Sequence, residues 1–286
     1  MEFKNIRVMN LDNALRGMRN PKESYSNIDS QFGLTGKYAM LNTVVKDWMH
    51  FLNYDINENV DFRRKKEEEL TNWLSKNGVL YQEGQAQECA FIGPKDMKLA
   101  QQLIMGGSEH RKFLRQIFVT VDITAPLYWF KEFDTYKVGT TANSTSTMHK
   151  ITSKPITLEN FEIGDYCSDL EINGKCLSTF VDDFIAFLES LRLKYLETKD
   201  KKYWKELIRW LPEGWLQTRT VTMTYENLLS MCNQREGHKL IEWSAYGEED
   251  YESFLSFAHN LPYANELIFT RRLFLNGSNI FPKIQL

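Results

Sequence analysis

Residues 106–146 read GGSEHRKFLRQIFVTVDITAPLYWFKEFDTYKVGTTANSTS, and this stretch decides the fold. Gly106-Gly107 runs into Glu109-His110. From Gln116 to Thr124, Ile117, Val119, Val121 and Ile123 alternate with Phe118, Thr120 and Asp122, the period-two pattern of a half-buried strand. Ala125-Pro126 follows, and an aromatic-rich segment beyond it predicts a helix. The stretch closes in a loop of hydroxyl and amide side chains, Thr140 to Ser146.

Helical periodicity surrounds this strand. Ala39, Leu41, Val44, Val45, Trp48, Met49 and Leu52 recur at helical spacing and predict a helix over Tyr38–Leu52. The charged run DFRRKKEEEL (61–70) leads to Trp73 and Leu74 and stops at Asn77-Gly78, a surface helix whose mixed charges read as a solvated face. Lys95–Met105 predicts a helix ending at the glycine pair. Phe180–Glu197 predicts an amphipathic one, with Phe180, Phe184, Phe187, Leu188, Leu191 and Tyr195 on one face. Tyr203–Trp210 stops before Pro212, and Tyr225–Trp243 reads as one long helix with Gly237 as its weak point. Residues 151–178 are polar and glycine-punctuated, an irregular excursion. With no repeat and no linker, the expectation is a single mixed α+β domain spanning 1–286, long helices around a small antiparallel sheet.

Bulk composition narrows the function. At 42% hydrophobic and 13% aromatic, the 286 residues support a substantial core, which argues against wholesale disorder. A net charge of −3 gives no global drive toward nucleic acid. No apolar run reaches the roughly 18 residues of a membrane span, and the opening MEFKNIRVMN lacks the apolar core of a signal peptide. Cys89, Cys167, Cys176 and Cys232 form no CxxC pair, so free or buried thiols are expected. The histidines show no HExxH-like spacing, so no metal site is expected. The expectation is a cytoplasmic protein with no nucleic-acid or membrane partner.

Several residues could carry chemistry. His110, after the glycine pair, can donate to a phosphate or serve as a structural hydrogen-bonder. The hydroxyl-rich loop with Lys137 upstream can bind phosphate through side chains and backbone N–H groups, or form an ordinary capping cluster. Arg209 shares a helix with Trp204 and Trp210, and Arg235 lies seven residues before Glu242. Guanidinium groups suit phosphate or a nucleobase edge, and Arg–Glu pairing explains each arginine equally simply. Neither a nucleophile–histidine–carboxylate spacing nor a glycine-rich dinucleotide fingerprint is present.

The order of these parts resembles the core of the flavin-dependent thymidylate synthases, over roughly residues 96–245. Glu109-His110, Ala125-Pro126, Thr135-Tyr136-Lys137, Asn143, Ser146, Arg209-Trp210-Leu211-Pro212, Thr218 and Arg235 follow in the family's sequence. The resemblance implies that FAD supplies a hydride, methylenetetrahydrofolate the carbon and NADPH the reducing power, so that dUMP becomes dTMP in a homotetramer. It implies that His110, Tyr136, Lys137 and Asn143 face the cofactor. Glu132, Ser146, Arg209 and Arg235 would hold the nucleotide, with Ser146 and Arg235 catalytic. The family's Arg-His-Arg triplet is Thr135-Tyr136-Lys137 here, its loop glutamate is Ser144, and an asparagine and arginine appear as Thr224 and Glu226. By the resemblance, several of those departures fall on flavin or phosphate contacts. The alternative is therefore a pyrimidine-nucleotide-binding or -modifying protein that has lost the standard flavin site. The aromatic helices between Phe180 and Trp215 could equally form a subunit interface.

Overall fold

The computed structural model describes residues 1–54, 59–80, 88–164, 166–245 and 252–270. Its strands are β1 (Glu2–Met9), β2 (Gln31–Gly33), β3 (Val79–Leu80), β4 (Glu88–Phe91), β5 (Phe118–Pro126), β6 (Thr141–Ser144), β7 (Glu171–Ile172), β8 (Lys175–Cys176) and β9 (Leu216–Thr224). The helices begin with α1 (Leu11–Gly17), α2 (Lys37–Phe51), α3 (Val60–Asn77), α4 (Pro94–Met105), α5 (Leu127–Phe133) and α6 (Thr147–Lys150). They continue with α7 (Leu177–Thr198), α8 (Lys201–Arg209), α9 (Tyr225–Arg235), α10 (Ile241–Ser244), α11 (Phe254–His259) and α12 (Ala264–Leu267). The architecture is α+β, as the sequence predicts. Among the described residues no helix is long and apolar enough to cross a membrane.

The principal sheet has the order β1-β5-β9-β6. Side-chain bonds fix the register of its central pair: Thr120 with Thr222 (3.1 Å), Thr220 with Asp122 (2.6 Å) and Thr124 with Thr218 (2.8 Å). The paired numbers fall on one strand as they rise on the other, so β5 and β9 run antiparallel. Val119, Val121, Ile123, Val221 and Met223 are all fully buried on the opposite face. One face is thus a hydrophobic floor and the other a threonine–aspartate ladder.

Chain contacts divide the molecule into two compact units. The first holds 1–2, 122–136 and 142–220; the second holds 3–121, 137–141 and 221–286. In the first, Ile151, Ile156, Phe161, Leu188 and Leu207 form a buried cluster flanked by Phe184, Trp204 and Trp215. Arg192, 8% exposed at its side chain, binds Glu189 (2.5 Å), donates to the Thr152 carbonyl (3.2 Å) and holds the Glu189 carboxyl below its usual range. Glu189 in turn receives the N–H of Ile156 (2.8 Å). The 151–178 excursion therefore begins as packed core, with the small β7–β8 hairpin beyond it. In the second unit α2 packs on α3 and α4, α4 on α12, and α11 on α9, α10 and α12, and Trp48, Tyr225, Tyr263, Trp243 and Phe254 are fully buried.

Two expectations need correction. The loop from Thr140 to Ser146 contains a strand, β6, whose four residues are all exposed and show no apolar period. The helix read over Tyr225–Trp243 is two helices, broken where Gly237 takes φ +70°. Strand β9 and helix α1 were not foreseen. On α7 the apolar face is only partly buried: Leu188 is inaccessible, but Phe180 is 60% and Phe187 46% exposed.

Gly78 ends α3 where nothing larger fits. An added Cβ would lie 2.2 Å from Cδ1 of the buried Phe91 and 2.8 Å from the Leu74 carbonyl oxygen. Gly78→Ala should therefore lower unfolding stability by about 1–3 kcal/mol, read as a lower urea midpoint. A midpoint equal to the parent's would contradict this packing.

Candidate functional site

In the first unit, Ser146 sits where β6 turns into α6. Its Oγ accepts the N–H of His149 (3.1 Å) and so caps that short helix. One lone pair is thus engaged, and the hydroxyl keeps its proton and a second lone pair for a ligand. The surrounding backbone is clamped. Thr145 donates its N–H to the Thr218 carbonyl (2.9 Å), and its Oγ1 accepts the N–H of Thr218 (3.3 Å). Gln217 donates through Nε2 to the Thr145 carbonyl (2.9 Å) and to Thr147 Oγ1 (3.1 Å), one residue either side of Ser146. Trp204 of α8 donates its indole N–H to the Met148 carbonyl (3.0 Å). The outcome is an exposed serine on a fixed backbone.

Glu132 lies half-buried on α5, and its carbonyl accepts the Thr135 hydroxyl (2.7 Å). That bond turns the chain out of the helix toward Tyr136. Arg219 of β9 lies over the Phe130 ring, 3.9 Å from its centroid, and donates to Asp134 (2.7 Å) and Gln217 (2.9 Å). Sequence reasoning missed Arg219 and Gln217. The alternation Val221, Met223 against Thr218, Thr220, Thr222 marked the strand that carries them, but threonine on every second position hid it among turn-like residues. Arg209 is 52% exposed at its side chain and pairs with Glu206 one turn earlier, while Glu206 also accepts the indole N–H of Trp210 (3.1 Å). Asn143 is exposed on β6.

In the second unit, His110 is exposed at the top of a turn closed by its own N–H and that of Arg111, both donated to the Gly107 carbonyl (3.0 and 3.1 Å). Arg111 is buried. Its Nε lies 2.8 and 3.1 Å from the two carboxylate oxygens of Glu226, and its Nη1 has no hydrogen-bond partner among the described residues. The next residue, Asn227, donates to the Val138 carbonyl (2.6 Å), beside the exposed Lys137. The first turn of α9 therefore anchors both the His110 turn and the Lys137 loop. Thr224 caps that turn in a reciprocal pair with Asn227, accepting its N–H (3.3 Å) while its own N–H reaches Asn227 Oδ1 (3.0 Å). Arg235, at the far end of α9, stacks over Trp243, 4.9 Å from the ring centroid. Thus Glu132, Ser146, Asn143, Tyr136 and Arg209 belong to the first unit, and His110, Lys137 and Arg235 to the second.

Comparison of the whole chain with solved structures finds ThyX of Helicobacter pylori, complexed with FAD and dUMP, at a TM-score of 0.52 over 94% of this chain and 98% of that one. The fold is that of the flavin-dependent thymidylate synthases. A second Helicobacter pylori ThyX structure with FAD and dUMP gives 0.50 over 96% and 99%. Identity is 12% and 13%. PolB of Streptomyces cacaoi, a UMP/dUMP methylase bound with 5-Br UMP, gives 0.39 at 11% identity over 60% of this chain, too loose to bear on the fold. No family model and no curated protein matches the sequence. At this identity the backbone is shared and the side chains are largely the chain's own.

Those side chains fit a phosphate-bearing group such as a flavin nucleotide. Lys137 is an exposed cation, His110 an exposed imidazole, and Arg111 Nη1 a buried donor without a partner among the described residues. Lys137 and His110 are the groups a phosphate can reach, while the Arg111 guanidinium is buried and already paired with Glu226.

Proposed function

We propose that the protein binds a pyrimidine nucleotide of the dUMP type and methylates it reductively, as a divergent counterpart of the flavin-dependent thymidylate synthases. The observation that carries this reading is a fold shared along nearly the whole length of an enzyme solved with FAD and dUMP. FAD, when bound, would supply a hydride, with methylenetetrahydrofolate and NADPH as co-substrates. The chain would act in the cytoplasm, as a homotetramer.

The residue roles follow from their chemistry. Ser146, clamped with its proton available, would donate to a ring carbonyl. Glu132 can only accept when ionised, so it would take an N–H or O–H of the base or sugar and avoid the phosphate. Arg209 would take phosphate: its pair with Glu206 is solvent-exposed, hence weak, and a dianion can displace it. Arg235 would hold the nucleotide from α9. His110, Tyr136, Lys137 and Asn143 would face the flavin, Lys137 as a point charge in place of a guanidinium fork.

A specific observation favours a second reading, a nucleotide-binding protein without flavin. Lys137 is the one cation of the Thr135-Tyr136-Lys137 triplet, and the nearby Arg111 guanidinium is engaged by Glu226 and so poorly placed to replace a lost arginine. Colour and melting separate the two. The enzyme reading expects a yellow protein, or quenching of added FAD fluorescence, and a higher Tm with dUMP. Saturation at a hundredfold excess over Kd corresponds to about 2.7 kcal/mol. A colourless protein stabilised by dUMP alone supports the second reading, and one indifferent to both ligands overturns both.

A further inference from the structure

We propose that Arg219 is a positioning residue for the nucleotide site, locking the helix that carries Glu132 to the loop that carries Ser146; this rests on the pyrimidine reading above. All the residues involved lie in the first unit.

Arg219 uses each part of its guanidinium on a different partner. Its face covers the fully buried Phe130 ring, and Nη1 donates to Asp134 at the end of α5 (2.7 Å). Those two contacts hold the helix on which Glu132 stands. Nε donates to Gln217 Oε1 (2.9 Å). Arginine has donors and no acceptor, so Gln217 must present its oxygen to Arg219 and its NH2 to the other side. That NH2 makes the two bonds, to the Thr145 carbonyl and Thr147 Oγ1, that bracket Ser146. Arg219 thereby holds the Gln217 amide from its oxygen side, in the orientation that the Thr145 carbonyl also requires. Without it the amide keeps the Thr145 carbonyl as a partner for its NH2 but loses the anchor on its oxygen, and with it the tie to α5.

The Arg219 side chain is 14% exposed, but an ion pair with a solvent-exposed partner contributes little to stability. Its partner Asp134 is 51% exposed. What arginine adds is orientation, since its planar fork fixes two acceptors and a ring at once where lysine, a point charge, fixes one.

The test is dUMP binding by calorimetry on the full chain, with melting temperature measured alongside. Arg219→Ala removes the coupling. Gln217→Glu keeps an acceptor for Arg219 but loses both donors to the loop. Both variants should raise Kd at least about tenfold relative to the parent, roughly the worth of one charge-assisted hydrogen bond. Arg219→Lys, which can still reach Asp134, should fall between. A purely structural role would lower Tm in these variants and leave the Kd of the folded protein within about twofold of the parent, which overturns the proposal. If Arg219→Ala does not fold, Gln217→Glu and Arg219→Lys decide it on the same criterion. A parent that binds no dUMP overturns the pyrimidine reading itself, and that outcome is recognisable because it appears before any substitution.

Discussion

Replacing Arg19 with alanine is expected to destabilise the protein by about 3–5 kcal/mol. Arg19 Nε donates to Asp96 Oδ1 at 2.6 Å, and the two side chains are 4% and 1% exposed. The other Asp96 oxygen accepts the Ser30 hydroxyl (2.7 Å) and the N–H groups of Ser30 (3.1 Å) and Asp29 (3.2 Å). Asp96 lies in the first turn of α4, the helix that leads into Gly106-Gly107 and the His110 turn. Taking away the guanidinium leaves a buried carboxylate with hydrogen bonds but no counter-charge. Urea unfolding measures the loss. The double variant Arg19→Met with Asp96→Asn should recover part of it, because the orphaned charge is then gone. A single-variant loss below about 1 kcal/mol would contradict the account, as that is the range of an exposed pair.

The second large effect is a pH dependence centred on Glu266. Burial pushes its carboxyl up to about 7, although Trp73 donates to it at 3.2 Å. The folded protein therefore keeps this proton to about pH 7, while the unfolded chain releases it near 4.5. Between those values the folded state binds more protons, so stability is full below the lower pH and falls as pH rises through the upper one. The total is on the order of 3 kcal/mol, from about 1.4 kcal/mol per unit of pKa difference. Asp29, pushed up to about 6 by burial, adds a loss of the same sign at lower pH. Glu266→Gln keeps an acceptor for Trp73 and removes the ionisation. It should match the parent near pH 5 and exceed it at pH 8, in thermal melts. Parallel curves for the two proteins would contradict the assignment.

How far the sequence could be read depended on whether burial left a period. Strand β5 was legible because Val119, Val121 and Ile123 point into the core while Thr120 and Asp122 do not. Strand β6 was not, since all four of its residues are exposed and only pairing makes them a strand. The break in the 225–243 helix was foreshadowed by Gly237, but whether a glycine bends or ends a helix depends on the φ it adopts. The α7 face was read from spacing alone, and spacing cannot tell which apolar edge tertiary contacts will cover. The site divides similarly. His110, Ser146 and Arg235 were reachable through the order of motifs. Arg219 and Gln217 act through neighbours more than seventy positions away in sequence, and no local pattern announces them. Likewise Glu226, an apparent departure from the family, is the partner of Arg111 across 115 positions.

The most direct measurement is a crystal structure of the protein with dUMP. The account predicts a nucleotide whose uracil ring lies against the Ser146 hydroxyl, with the Glu132 carboxylate within hydrogen-bond distance of its base or sugar. A nucleotide held elsewhere, or no nucleotide at saturating concentration, would contradict it.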